Sequence, residues 1–216
     1  MGGKGKKRKM EGVSTAMRAP YLLLVIIYCL LTLPACSSEA PLPRPRSYPR
    51  VDYPESAYAT MDVSYCNFTF DRPVSATVEQ ETAFFDEAPL DPCWFDLRLD
   101  AALNGGIHFS YYPLTGYDDF ERLRDQAFQL VGVHNQRASD VEEIVIHRTE
   151  ADVHGIAFDI AGPAASPFQF FLTDSTEHFV RGALYFDTQV NPDSLAPVTA
   201  FVKEDIFRLV ETFSWK

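Results

Sequence analysis

The sequence lacks several features by which common classes of protein are identified. It contains no glycine-rich phosphate loop and no Gly-x-Ser-x-Gly nucleophile elbow, so neither a nucleotide site nor a serine-hydrolase motif is predicted. Its apolar run at residues 21–33 is only thirteen residues long. At ~1.5 Å per residue, such a helix covers about 20 Å of a hydrocarbon layer ~30 Å thick, which is too short for an ordinary membrane span.

Positive charge is scarce in most of the chain. Residues 1–35 carry six basic side chains and one acidic one, whereas the whole chain has 19 basic and 30 acidic residues. The rest therefore has 13 basic and 29 acidic residues, a formal charge of −16. Because so acidic a body repels phosphate backbones, no nucleic-acid partner is expected.

The composition indicates a folded core. The 216 residues are 46% apolar and 13% aromatic, which excludes intrinsic disorder, a collagen-like repeat and a multi-spanning membrane protein. This length accommodates one ordinary globular domain. A proline-rich segment is the one stretch of biased composition.

The N-terminus has the order of a bacterial lipoprotein signal peptide. A basic segment precedes the apolar run, and Leu33-Pro34-Ala35-Cys36 follows it. The last four residues resemble a lipobox, in which the cysteine thiolate takes a diacylglycerol as a thioether. We expect cleavage after residue 35, with Cys36 carrying acyl chains such as palmitate. The alternative is an uncleaved anchor with a buried cysteine.

Lipidation would place the chain in the cell envelope, anchored to a membrane on its extracytoplasmic side. The residue after Cys36 is Ser37. An aspartate at this position would favour retention in the inner membrane, so a serine favours the outer membrane. Residues 36–54 alternate prolines with Arg44, Arg46 and Arg50, which predicts an extended spacer because proline fixes φ. Those arginines could contact anionic headgroups, or the spacer could be a solvated linker with incidental charges.

Residues 55–216 predict a single α+β domain. Runs of aromatic and β-branched residues, separated by turn residues, indicate an antiparallel β-sheet of about six to eight strands with two main helices packed on it. We expect a β-hairpin turning at residues 104–106. The predicted strands are 67–70, 77–79, 94–99, 107–112, 143–148, 155–161, 167–173 and 179–187.

Two segments have helical periodicity. The first runs from Tyr117 to about residue 134, with Asp118 or Asp119 as its cap. The second runs from Val198 to about Thr212. The expected buried stripes are Phe120, Leu123, Ala127, Leu130 and Val131 on the first helix, and Phe201, Ile206, Leu209, Val210 and Phe213 on the second.

Two cysteines remain in the domain once Cys36 is assigned to lipid and Cys29 to the signal peptide. In an oxidising periplasm, Cys66 and Cys93 are expected to form a disulfide. A thiolate metal site and two free thiols are the alternatives, although the close cysteine spacing of known metal sites is missing.

No motif for catalysis, a metal or a cofactor emerges from the remaining polar residues. His147 and His154 could meet across a hairpin, but their spacing is not a metal signature. Ser166 and His178 are a weak nucleophile and base pair. Arg181 lies within a predicted strand, where a charged side chain usually has an ion-pair partner. Asp159 and Asp187 are the candidate partners.

Several strings along the mature chain together have the pattern of one known family. They are the lipobox, Tyr48-Pro49-Arg50-Val51-Asp52-Tyr53-Pro54, Cys66 with Cys93-Trp94-Phe95, the segment 164–186, Phe201-Val202-Lys203-Glu204-Asp205-Ile206, and Trp215-Lys216. These strings resemble GldD, a family of gliding-motility lipoproteins of the Bacteroidetes. The resemblance covers roughly residues 36–216. The leader before Arg18 is longer and more basic than the family pattern.

The resemblance implies a non-enzymatic accessory of gliding motility and of the type IX secretion system, whose partners are other envelope proteins. The family offers no catalytic residues to carry over, and no cofactor or small-molecule substrate is expected. Candidate structural or interaction residues are Ser166, Asp174, Thr176, His178 and Arg181.

The alternative function is a periplasmic small-ligand or lipid-binding domain, because helices over an antiparallel sheet often leave a cleft and PsbP-like domains have a comparable strand order. A third hypothesis, an envelope hydrolase, requires a serine or carboxylate within hydrogen-bond reach of His108 or His178.

Overall fold

The computed structural model describes residues 23–28, 50–83, 88–135 and 138–216. Cys36, the expected cleavage point and most of the predicted spacer lie outside these residues. Residues 23–28 are helical and exposed. Residues from 50 onward belong to one compact unit. None of the helices in the described ranges combines the length and the apolar character needed to cross a membrane.

The described part of the domain contains ten strands and two α-helices. The helices are α1 (Tyr117–Asn135) and α2 (Pro192–Thr212), and a short 3₁₀ turn lies at Thr149–Ala151. The strands are β1 (Tyr58–Met61), β2 (Phe68–Pro73), β3 (Thr77–Gln80), β4 (Trp94–Arg98), β5 (Gly105–Pro113), β6 (Asp140–Arg148), β7 (Val153–Ala161), β8 (Phe168–Thr173), β9 (His178–Phe186) and β10 (Ser214–Trp215). The α+β class and both helices are thereby confirmed.

The strands form two antiparallel sheets. Seven strands join in the order β3-β4-β5-β9-β8-β7-β6, and three in the order β1-β2-β10. In the larger sheet, Asp96 of β4 lies opposite His108 of β5. Ser110 of β5 lies opposite Arg181 of β9. This register brings together polar residues that are up to 71 positions apart in the chain.

One side of the larger sheet, which we call the covered face, carries the main core. Phe95, Ile107 and Phe109 point to this side, where they pack with residues of α2 and of the three-stranded sheet. Because side chains alternate along a strand, the neighbouring residues point to the other side. A single buried cluster therefore joins both sheets and α2.

The other side, which we call the cleft face, is covered by α1 only over one half of the sheet. Leu123 and Ala127 of α1 pack with Phe158, Phe171 and Phe179, which belong to β7, β8 and β9. Leu130, predicted for this buried stripe, is instead 37% exposed, so that part of the prediction is wrong. It borders a cleft over β4 and β5.

The start of α2 also differs from the prediction. The helix begins at Pro192, six residues before the predicted Val198, and Pro197 lies inside it. Asn191 is its N-cap, with the side-chain oxygen accepting from the Ser194 backbone N–H. Proline suits a first turn because its missing N–H has no intrahelical partner there. The predicted helix began only after Pro197 and therefore missed the first six residues.

The predicted cap of α1 is also wrong. Tyr117 already begins the helix, so Asp118 and Asp119 lie in its first turn. Asp119 accepts hydrogen bonds from the backbone N–H and hydroxyl of Thr115. These bonds and the Arg122 guanidinium lower the pKa of Asp119 to about 2. Its carboxylate thus fastens the preceding loop to the helix.

Candidate functional site

A cleft of about 580 Å³ lies on the cleft face of the larger sheet. Alternate residues of three strands line it, with Leu130 of α1 at one side. From β4 come Trp94, Asp96 and Arg98, from β5 come His108, Ser110 and Tyr112, and from β9 come Arg181 and Tyr185. The cleft therefore combines aromatic walls with charged and hydroxyl groups.

Asp96 and His108 form a hydrogen-bonded pair across the β4–β5 hairpin. His108 Nδ1 is 2.8 Å from Asp96 Oδ1, and each side chain is 23% exposed. The hydrogen bond from His108 lowers the pKa of Asp96, and burial, which acts in the opposite direction, does not outweigh it. The carboxylate consequently holds one nitrogen of the imidazole and sets the orientation of the ring.

Arg98 is surrounded by carboxylates at the outer end of the cleft. Its guanidinium lies 3.4 Å from Glu79, 3.4 Å from Asp96 and 3.2 Å from Asp187. The positive charge of Arg98 is therefore compensated within the protein. Asp187 is thereby engaged, although it was one of the two partners predicted for Arg181.

Arg181 does not have either of its predicted partners. Asp159, the other candidate, is bound by Lys203 of α2, whose Nζ is 2.6 Å from both carboxylate oxygens. Asp159 lies on the covered face, whereas Arg181 lines the cleft on the opposite side of the sheet. Within the described ranges, the Arg181 guanidinium forms no ion pair and no hydrogen bond. The predicted ion pair is therefore wrong.

Ser110 lies in the floor of the cleft between Trp94 and Arg181. It is opposite Trp94 in the β4–β5 pairing and opposite Arg181 in the β5–β9 pairing. The residue is 2% exposed, and its hydroxyl has no hydrogen-bond partner among the residues that the structure describes. A buried hydroxyl without a partner is costly to the folded state, which makes Ser110 unusual.

The envelope-hydrolase hypothesis thus finds one of its requirements in the structure. Asp96 is a carboxylate within hydrogen-bond reach of His108. A nucleophile, a base and an orienting acid must form a hydrogen-bonded chain for a serine hydrolase. In the described residues, the Ser110 hydroxyl is not bonded to His108, so this chain is not formed.

Three of the predicted candidates, Asp174, Thr176 and His178, lie together at the β8–β9 turn. Asp174 Oδ1 accepts from the backbone N–H groups of Thr176, Glu177 and His178 at 2.9–3.0 Å. Burial raises the pKa of Asp174, but these three hydrogen bonds together lower it below its ordinary value. The Asp174 carboxylate shapes the turn, as is common for aspartate.

His178 points to the covered face rather than into the cleft. Its Nδ1 is 2.7 Å from the Tyr111 hydroxyl, and its ring stacks on Trp215 at 4.9 Å between centroids. Ser166 lies two residues before the start of β8 and is fully buried, and its hydroxyl donates to the Phe168 carbonyl at 3.4 Å. The length of β8 separates Ser166 from His178, so the predicted nucleophile and base pair is not assembled.

Cys66 and Cys93 form a disulfide in the structure. Cys66 lies two residues before β2, Cys93 lies directly before β4, and both cysteines are buried. The disulfide therefore ties the three-stranded sheet to the seven-stranded sheet.

His147 and His154 meet across the β6–β7 pairing, with their Nδ1 atoms 3.0 Å apart. No group of three or more histidine, cysteine or acidic side chains in the described ranges is arranged to hold a metal ion.

The sequence did not predict the cleft as a site, although it singled out His108, Arg181 and Asp187 from its lining one by one. A signal was present, because β4 and β5 alternate apolar with polar residues, and the polar set includes Asp96, Arg98, His108 and Ser110. Alternation indicates that one strand face is not in the core. It does not say which polar residues lie beside each other, since that depends on the strand register.

Fold and site together define an α+β domain with one fully packed sheet face and a polar cleft on the other. The family model described as "Gliding motility lipoprotein GldD" matches residues 38–215, and the chain belongs to this family. The resemblance found in the sequence is confirmed. Membership in a lipoprotein family implies anchoring at the cell envelope.

Among solved structures, the solution structure of cyanobacterial PsbP (CyanoP) from Synechocystis sp. PCC 6803 is similar. The similarity covers 76% of this chain and 95% of that chain, with 8% sequence identity and a TM-score of 0.43. No curated protein matches the sequence.

Proposed function

We propose that this chain is a lipid-anchored accessory or assembly factor of the gliding machinery and the associated type IX secretion system, and that it acts without catalysis. The match to the gliding motility lipoprotein family over residues 38–215 carries this proposal. The family description names a motility lipoprotein and no reaction, which supports a non-enzymatic role.

The proposal assigns three parts to the chain. Residues 1–35 are the lipoprotein signal peptide, residues 36–54 are the lipidated Cys36 and the spacer, and residues 55–216 are the globular domain. Val51 packs against the main core and the Tyr53 ring lies 4.7 Å from the Phe201 ring. The free part of the spacer therefore ends before Val51 in this proposal.

Charge supports the need for a spacer. The chain from Cys36 onward has 13 basic and 29 acidic residues, a formal charge of −16. An acidic domain is repelled by an anionic membrane surface, and this repulsion falls off within a Debye length of about 10 Å. A spacer that holds the domain away from the headgroups makes its surface accessible to other envelope proteins. Ser37 after the lipidated cysteine favours the outer membrane.

The experiment replaces Cys36 by serine at the chromosomal locus of the native host. Without the thioether-linked lipid, we expect the Cys36→Ser protein to leave the membrane fraction, and gliding and secretion to be lost as in a deletion strain. Cys29→Ser is the matched control, because it alters the other leader cysteine and leaves the lipobox intact. The readouts are fractionation, colony spreading and the amount of secreted cargo.

Two results would contradict the proposal separately. Unchanged gliding and secretion in the deletion strain would remove the functional part. Membrane retention of the Cys36→Ser protein would remove the lipid anchor at this position.

Labelling by a serine-reactive fluorophosphonate probe tests the non-enzymatic part. The proposal predicts no labelling of the wild-type protein in membranes. Labelling that disappears in Ser110→Ala would replace it with a hydrolase in which His108 and Asp96 act as base and orienting acid.

A further inference from the structure

Two side chains in the cleft carry hydrogen-bond donors that are not bonded to any other residue that the structure describes. Ser110 is 2% exposed and its hydroxyl has no partner, and the Arg181 guanidinium has no ion pair or hydrogen bond in the same described ranges. The two residues are direct neighbours across the β5–β9 pairing and both line the cleft. Buried polar groups in folded proteins are nearly always paired, so two adjacent donors that the chain itself leaves unused suit an acceptor supplied by a ligand.

The charges around the cleft define that acceptor. Arg98 is already matched by Glu79, Asp96 and Asp187, and the His108 imidazole is held by Asp96. Arg181 is therefore the uncompensated cation among the described lining residues. A single guanidinium beside a hydroxyl suits a monoanion with two acceptor oxygens, which is a carboxylate. Asp96 and Asp187, which also line the cleft, would repel a phosphate dianion about twice as strongly as a monocarboxylate at the same position.

The rest of the cleft is suited to an apolar group. Trp94 and Tyr112 lie 5.5 Å apart between ring centroids on one side, and Leu130 and Tyr185 are also part of the lining. A volume of about 580 Å³ falls within the roughly 300–1,000 Å³ usual for small-molecule sites. Aromatic walls with a few convergent polar groups are the common composition of such sites.

We propose that this cleft binds a monocarboxylate with an apolar body. The carboxylate is held by Arg181 and Ser110, and the body packs against Tyr112, Tyr185 and Leu130. The carboxylate belongs either to a small organic acid or to the C-terminus of a polypeptide, and the experiment distinguishes the two. This binding goes beyond the proposed accessory function and stands or fails independently of it.

Titration of the full-length protein in neutral maltoside micelles, followed by NMR of ¹⁵N-labelled tryptophan indoles, tests the proposal. The chain has two tryptophans, which serve as site and control. Trp94 lines the cleft, whereas Trp215 packs with the main core and its indole N–H donates to the Asp152 carbonyl. The small-acid probe is 3-phenylpropionate, with 3-phenylpropanamide as its uncharged control. The peptide probe is acetyl-Ala-Phe with a free or an amidated C-terminus.

We expect a free acid to shift the Trp94 indole resonance saturably, with half-saturation at roughly 1 mM or below, and to leave the Trp215 resonance unchanged. The matching amide should bind at least tenfold more weakly, because it lacks the charge that Arg181 attracts. Saturation by 3-phenylpropionate alone assigns a small acid, and saturation by the peptide acid alone assigns a polypeptide C-terminus. Binding of both probes supports the carboxylate site as such.

Three variants locate the binding. Arg181→Gln should weaken acid binding at least tenfold, and Ser110→Ala should weaken it several-fold. Arg208→Gln is the matched control, since it removes an arginine that pairs with Asp71 away from the cleft lining, and it should bind as the wild type does. The unchanged Trp215 resonance reports that each variant is folded. Ser110→Ala alone still decides the question if Arg181→Gln does not fold.

The proposal is overturned if neither acid shifts Trp94 saturably, or if the amides bind as well as the acids. It is also overturned if folded Arg181→Gln and Ser110→Ala both bind like the wild type.

Discussion

Strands β8 and β4 belong to the same sheet but differ in what covers them. All six residues of β8 are buried, because α1 packs on one side and the main core on the other. In β4, Trp94, Phe95 and Leu97 are buried, whereas Asp96 and Arg98 are only partly buried. The partly buried polar side chains of β4 thus lie where α1 stops covering the sheet. Substitutions on the covered face and on the cleft face should therefore differ in their effects.

The largest effect is expected in the middle of the covered face. Phe109 is fully buried, and its ring stacks on Phe95 at 4.7 Å and on Phe70 at 5.4 Å. Phe109→Ala should lower the free energy of unfolding by about 3–5 kcal/mol, through lost burial and the cavity left behind. Denaturant unfolding of the full-length protein in micelles measures it. Tyr112→Ala, on the cleft side of the same strand, is the control and should cost clearly less.

A smaller effect is expected where the covered face has no room for a methyl group. A Cβ on Gly182 would lie 2.2 Å from the buried Phe170 ring, whereas a Cβ on Gly106 in the cleft would be 3.3 Å from its nearest atom. Gly182→Ala should therefore destabilise by about 1–3 kcal/mol. Gly106→Ala should change stability by less than about 1 kcal/mol. Equal thermal midpoints for the two variants would contradict the contrast.

Two carboxylates should show opposite dependence of stability on pH. Burial raises the pKa of Asp205, and the hydrogen bond that the Tyr58 hydroxyl donates at 2.7 Å offsets this only in part. The hydrogen bond from His108 lowers the pKa of Asp96 in the cleft. Asp96 therefore stabilises the fold above pH ~3.8 and loses this contribution as the pH falls through its lower folded pKa. Asp205 opposes folding while ionised and becomes more favourable as the pH falls through its raised folded pKa toward ~3.8.

The test compares asparagine variants across pH 2–7. At pH 7, Asp96→Asn should lose about 1 kcal/mol, while Asp205→Asn should be neutral or stabilising because it keeps an acceptor for Tyr58. Both differences from the wild type should shrink in acid. A loss of equal size and pH dependence in both variants would show that the two environments do not differ as described.

The smallest effect is expected at Ser110. Because its buried hydroxyl has no partner in the described part of the chain, Ser110→Ala should not lower the free energy of unfolding and should raise it by at most about 1 kcal/mol. Thr173 is the matched control, since it is equally buried but donates to the His178 carbonyl and accepts from the Ser175 N–H. Thr173→Val should cost about 1–2 kcal/mol. A comparable loss in Ser110→Ala would reveal a bond to its hydroxyl.

Local patterns allowed much of the fold to be predicted. Runs of aromatic and β-branched residues predicted eight strands close to their observed positions, whereas the four-residue β1 and the two-residue β10 were missed. The start of α2 was missed because the predicted helix began only after Pro197, which lies inside the observed one. Exposure of Leu130 could not be predicted, since periodicity indicates a helix face but not where the sheet beneath it ends.

The sequence by itself determined the order of leader, cysteine and spacer, the class of the fold and the family, since each depends on neighbouring residues or on strings read along the chain. Tertiary structure decided that Arg181 lies beside Ser110 and not beside Asp159 or Asp187. Strand register and the side of the sheet to which each residue points set those neighbours. They result from the packing of α1, α2 and both sheets together, because a shift of one residue in register would turn a strand's side chains to the opposite face.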